Sequence, residues 1–138
     1  MDASALDRAL NQLIQNRDRL ARMGYDHEQY DVVEEELHEM EDQFQADYGD
    51  YLEGALKRVH EEYCPESDVL LPMAYLPRQY QKLSEATGID EYEIGDNDGV
   101  WVELKDFPSL DAKLVLLPSP PRLELLSQGG SQEVWRAV

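Results

Sequence analysis

The pattern that most constrains the fold lies between Tyr30 and Tyr63. Tyr30, Val33, Leu37, Met40 and Phe44 recur at spacings of three and four, and Tyr51, Leu56, Val59 and Tyr63 extend the series until Pro65 ends it. That spacing places the apolar side chains on one stripe of an α-helix. Asp26 with Gln29 three places on predicts an N-terminal capping box, so the helix would reach about 38 residues and about 57 Å. Gly49 and Gly54 could kink or split it, and Asp50 with Glu53 could cap a fresh helix there.

Upstream, Leu6, Leu10, Leu13, Ile14 and Leu20 mark a first helix, with Gly24 as its stop. At about 20 residues it is only about 30 Å long. In an antiparallel hairpin it covers the first half of its longer neighbour and no more. Tyr48, Tyr51, Leu52, Leu56, Val59 and Tyr63 then overhang, and they are the candidate interface. Either the C-terminal half or a second copy of the chain must cover them.

Residues 31–54 hold ten acids and no lysine or arginine. Glu34, Glu35, Glu39, Glu41 and Asp42 flank the apolar stripe or face away from it. Acids that bind metal or do chemistry should converge on the inside of a bundle. These diverge, as a solvated helix face requires. Arg17, Arg19 and Arg22 close the first helix and should meet Glu28, Asp31, Glu34 or Glu35 across the hairpin. Such exposed pairs contribute only about 0–1 kcal/mol each, so the apolar seam must hold the hairpin.

The formal charge of -18 excludes partner classes. A surface this acidic repels phosphate backbones and anionic lipid, which argues against nucleic acid and membrane. It suits a basic protein partner, or the solubility demands of a salt-adapted proteome. No apolar run approaches the length of a membrane-spanning helix, the N-terminus lacks a signal-peptide pattern, and Cys64 is alone. A cytoplasmic location is the expectation.

Residues 65–138 change character. Pro77 and Gly88 bracket a short helix, expected over 77–88. Five β-like runs follow, beginning at Ile89, Val100, Ala112, Arg122 and Glu133. Turn-rich segments separate them, and residues 95–99 (Gly-Asp-Asn-Asp-Gly) read as a polar hairpin turn.

Several motifs fall short of a site. With Gly99 at the sixth position of a calcium loop, the first and twelfth positions are Ile94 and Lys105, which cannot serve. Glu35 and His38 form one Glu-x-x-His, off the apolar stripe, where a di-iron bundle needs two facing inward. His60 and Cys64 are helical neighbours, but no further pair completes a zinc site, and no third group or oxyanion hole supports a nucleophile. Thr87-Gly88-Ile89 could mark a helix-turn-helix, yet the next segment offers Asp90, Glu91 and Glu93 with no cation for DNA.

The expected fold is α+β in a single domain, 1–138. A helical hairpin over 1–64 packs on a part, 65–138, that holds the short helix and a small antiparallel meander. The expected role is a non-catalytic interaction or structural module, a homodimer through the overhanging stripe, with no cofactor and no metal. Two alternatives stand beside it. One is an acidic decoy, immunity-type inhibitor or secretion chaperone that holds a basic protein. The other is an enzyme whose residues meet only in the fold, which a deep pocket holding two or more of His27, His38, His60, Cys64 and Asp98 would favour.

Overall fold

The computed structural model describes every residue except 79, 87–88, 95–97, 129 and 138, and the side chains of residues 80–94 are not described. Helix α1 spans Ala3–Arg22. The Asp2 carboxylate starts it, accepting from the amides of Ser4 at 2.9 Å and Ala5 at 3.4 Å. Leu6, Leu10, Leu13 and Ile14 are buried, as their spacing requires. The helix ends just before Gly24, where the Met23 amide turns back to the Leu20 carbonyl.

Helix α2 spans Tyr30–Tyr63 without a break, 34 residues and about 51 Å. It starts later than the predicted capping box. Residues 24–29 are used in the turn, where the His27 amide donates to Gly24 and the Tyr30 amide to His27. Gln29 is the residue at the cap and gives no side-chain bond, while His27 Nδ1 accepts from the Gln29 amide at 3.0 Å. Neither glycine splits the helix. Gly49 is buried under the folded-over side chain of Gln45, where a Cβ would collide.

Leu37 and Phe44 join the α1 leucines in the core, Val33 is buried too, and Glu35, Glu39 and Asp42 stand in solvent. Replacing Glu39 with alanine should therefore change the urea-unfolding free energy by no more than about 0.5 kcal/mol. The expected charge pairs across the hairpin do not form. Arg17 lies 3.8 Å from Glu41, one turn and more beyond the expected partners, and Arg22 pairs with Asp18 in its own helix at 2.9 Å. Arg17 turns instead to the segment after α2, donating to the Leu76 carbonyl at 3.0 Å.

After α2 the chain makes a 3-10 turn at Pro72–Tyr75. The strands are β1 Tyr80–Ala86, β2 Ile89–Ile94, β3 Val100–Val102, β4 Ala112–Leu117, β5 Arg122–Ser127 and β6 Gly130–Arg136. The helix expected over 77–88 is thus corrected to a strand. β1 and β2 pair antiparallel as a separate ribbon, with Tyr80 opposite Ile94 and a bulge between Lys82 and Ser84. The helix-turn-helix reading goes with it, since Ile89–Ile94 is extended. Strands β3-β4-β5-β6 form an antiparallel meander in sequence order, so the fold is α+β. Of the expected polar turn at 95–99, residues 95–97 lie outside those described. β2 and β3 belong to different sheets.

Ala112, Leu114, Leu116, Leu123 and Leu125 of the meander join the cluster of α1 and α2 side chains. Two devices fix the sheet to α1 at the turn between β4 and β5. The Ser119 amide donates to the Asp7 carboxylate, and Asn11 Nδ2 lies 3.3 Å from Ser119 Oγ. Arg122, enclosed beneath that turn, donates to the carbonyls of Pro118 at 2.7 Å and Pro120 at 3.0 Å and pairs with Glu124 at 2.6 Å. Among the described residues, no helix is long and apolar enough to cross a membrane.

Candidate functional site

The expected interface on α2 is covered by its own chain. Leu52, Leu56 and Val59 are buried, Leu56 to 1% exposure, while Tyr48, Tyr51 and Tyr63 are half-buried. The covering comes from the C-terminal half. The 3-10 turn and β6 pack on α2, Tyr51 meets the ring of Trp135 at 5.8 Å, and the Lys105 amide donates to the Tyr63 carbonyl at 3.0 Å. A second copy is not needed there, and the reason for expecting a dimer through this stripe falls away.

Among the described residues, the five that would favour an enzyme do not line either cleft beside α1 and α2. His27 and His38 are exposed. His60 and Cys64 do lie together, inside the core. His60 Nδ1 is 3.0 Å from the Ser67 carbonyl, which can only accept, so this nitrogen carries the proton. Nε2 is then free to accept from the Tyr75 hydroxyl at 2.8 Å, and that hydroxyl accepts from the Leu70 amide at 3.1 Å. Both ring nitrogens are committed, leaving no base for the thiol. This is a satisfied polar knot that ties the end of α2 to the segment after it.

Burial pushes the Cys64 thiol up to about 11, so it stays protonated and inert at neutral pH. The sign of the pH effect follows. Below the ordinary value near 9 the thiol is neutral in both states. As pH rises from about 9 to about 11, only the unfolded chain releases the proton, and stability falls. The wild type should lose urea resistance over this window more steeply than Cys64→Ala, and a thiol reagent should label Cys64 only after denaturation.

A different surface stands out. Among the described residues, the large exposed apolar side chains of the C-terminal half are Val69, Leu70, Leu71, Trp101, Phe107 and Leu110. Sequence alone gave no sign of them as a set, because they lie in two segments far apart in the chain. Hydrogen bonds bring those segments together. The Glu103 amide donates to Ser67 Oγ at 2.8 Å, and the Lys105 amide donates to Tyr63. Numbers rise on one side as they fall on the other, so the stretch after Tyr63 runs antiparallel to β3 and its extension. Along β3, Val102 and Leu104 point into the core while Trp101 and Glu103 point out.

Trp101 is 62% exposed and Leu71 64%. Lys113 on β4 holds its ammonium 5.4 Å from the centre of the Trp101 ring, which fixes the ring's outward face. Phe107 and Leu110 sit on the β3–β4 loop, which closes through the Phe107 amide to Leu104 and the Leu110 amide to Phe107. Residues 61–71 and 101–113 contain seven acids and two bases. Both segments thus offer exposed apolar side chains among mostly acidic neighbours. No family model, curated protein or solved structure matches the chain.

Proposed function

We propose that the chain is a non-catalytic binding protein that receives an apolar, positively charged segment of another protein along β3 and residues 69–71. Exposed Leu71, Trp101 and Phe107 within an acidic frame are the observation that supports this reading. Contiguous exposed apolar surface bounded by polar groups is characteristic of protein contact sites. Seven acids against two bases around it favour a cationic partner and oppose an anionic one. A decoy, an immunity-type inhibitor and a secretion chaperone all hold a partner in this way. The buried thiol of the lone cysteine is compatible with a reducing compartment, and the cytoplasm is the location we assign.

The test is calorimetry with a synthetic amphipathic peptide of leucine and lysine, and with its leucine–glutamate counterpart. The lysine peptide should bind and weaken as salt rises, and the glutamate peptide should not bind. Leu71→Ser and Trp101→Ser should each weaken the lysine peptide about tenfold. Both residues are mostly exposed, so thermal stability should stay within about 0.5 kcal/mol of wild type. Unchanged binding in both variants would remove these residues as the site.

A further inference from the structure

A second feature, independent of the exposed apolar set, lies where α1, α2 and the segment before β1 meet. A cavity of about 360 Å³ opens there, walled by Leu20, Leu37 and Tyr30 and carrying Arg17, Glu41 and Arg78. Its size is at the low end of small-molecule sites, which run about 300–1,000 Å³.

The Arg17 guanidinium is not saturated. Of its five N–H donors, one meets the Leu76 carbonyl at 3.0 Å and another reaches only the Met73 sulfur at 3.7 Å. Its Nε is 3.8 Å from Glu41, an ion pair too long to be a hydrogen bond. Yet its side chain is only 13% exposed, and burial pulls its affinity for the proton below the ordinary value, with Glu41 partly restoring it. Arg78 stands at the rim, mostly exposed, engaged by the buried Asp98 through Nε at 3.5 Å. Two guanidinium groups with donors to spare and one carboxylate therefore share a cavity with apolar walls. A ligand that matches them carries a carboxylate, a cationic donor beside it and an apolar body.

We propose that this cavity binds an apolar α-amino acid, its carboxylate on Arg17 and Arg78, its ammonium on Glu41, and its side chain against Leu20, Leu37 and Tyr30. Planar guanidinium pairs are the side chains best suited to a carboxylate. The two arginines also offset the negative charge of Glu41 locally, in a chain whose overall charge repels anions.

The experiment titrates L-leucine, 4-methylpentanoate and isoamylamine separately into the full-length chain, followed by amide shifts in two-dimensional NMR. Leucine should give saturable shifts at Leu20, Tyr30 and Leu37 with Kd at or below about 1 mM. The probe without the ammonium and the probe without the carboxylate should each bind at least about tenfold more weakly. Arg17→Gln should abolish the shifts. Because Arg17 also holds Leu76 and its loss could unfold the chain, Arg78→Gln is the second variant: it is exposed, should fold normally, and should weaken leucine about tenfold. The proposal is overturned by an absence of saturable shifts with leucine, by equal binding of the three probes, or by unchanged binding in folded Arg78→Gln.

Discussion

Leu56→Glu should unfold the chain rather than separate two copies of it. Leu56 is enclosed by residues of the same chain, in a cluster that joins α1 and α2 to the 3-10 turn and the meander. Losing the leucine removes about 1.5–3 kcal/mol of burial, and the carboxylate adds a desolvation cost of several kcal/mol. The sum approaches the whole stability of a domain this size, about 5–15 kcal/mol. Circular dichroism should show a largely unfolded chain at room temperature, or a urea midpoint close to zero. A folded Leu56→Glu chain of reduced mass by light scattering would instead mean that α2 is covered by a second copy.

The second large effect is expected at the polar knot. Tyr75→Phe removes one hydroxyl and leaves two groups unpaired, His60 Nε2 and the Leu70 amide. Tyr75 is fully enclosed and His60 is 2% exposed, so water has little access to His60 Nε2, while the Leu70 amide lies on a more exposed residue. A stranded buried group costs about 1–3 kcal/mol, and His60 Nε2 supplies most of that loss, to be read by urea denaturation. His60→Leu frees the Tyr75 hydroxyl and the Ser67 carbonyl and should cost a similar amount. The double variant should cost clearly less than the two single losses added, because the second change removes a group already stranded. Strict additivity would show that the two side chains do not act through one another.

The helical hairpin could be read from the chain because its information is local. Leu6 to Ile14 and Val33 to Phe44 repeat at helical spacing, and their burial follows. The strands from Ile89 onward carry β-like runs between turn residues, and five of them formed near the expected places. What failed was information held at a distance. Residues 77–88 have helix-tolerant letters between a proline and a glycine, but Tyr80–Ala86 pairs with Ile89–Ile94, and such pairing outweighs a weak local preference. Gly49 and Gly54 each cost a helix about 1 kcal/mol, which packing along α2 outweighs. The overhang was visible, but its cover was not, since Tyr75, Leu104, Leu114 and Trp135 are separated from it in sequence and none is marked by a pattern. His60 was seen beside Cys64, while its actual partners, Ser67 and Tyr75, carry no motif. The exposed apolar set likewise appears only when 63–71 is laid against β3.

The binding account rests on that set, and amide-resolved NMR of the full chain with the leucine–lysine peptide tests it most directly. Shifts that saturate and concentrate in residues 66–71 and 101–111, with α1 and the acidic face of α2 unmoved, are the expected result. The charge alone would spread them, since residues 31–54 carry ten acids and no base. Shifts strongest on that acidic face of α2, with Leu71 and Trp101 unmoved, would contradict the account and reduce the interaction to unspecific attraction between opposite charges.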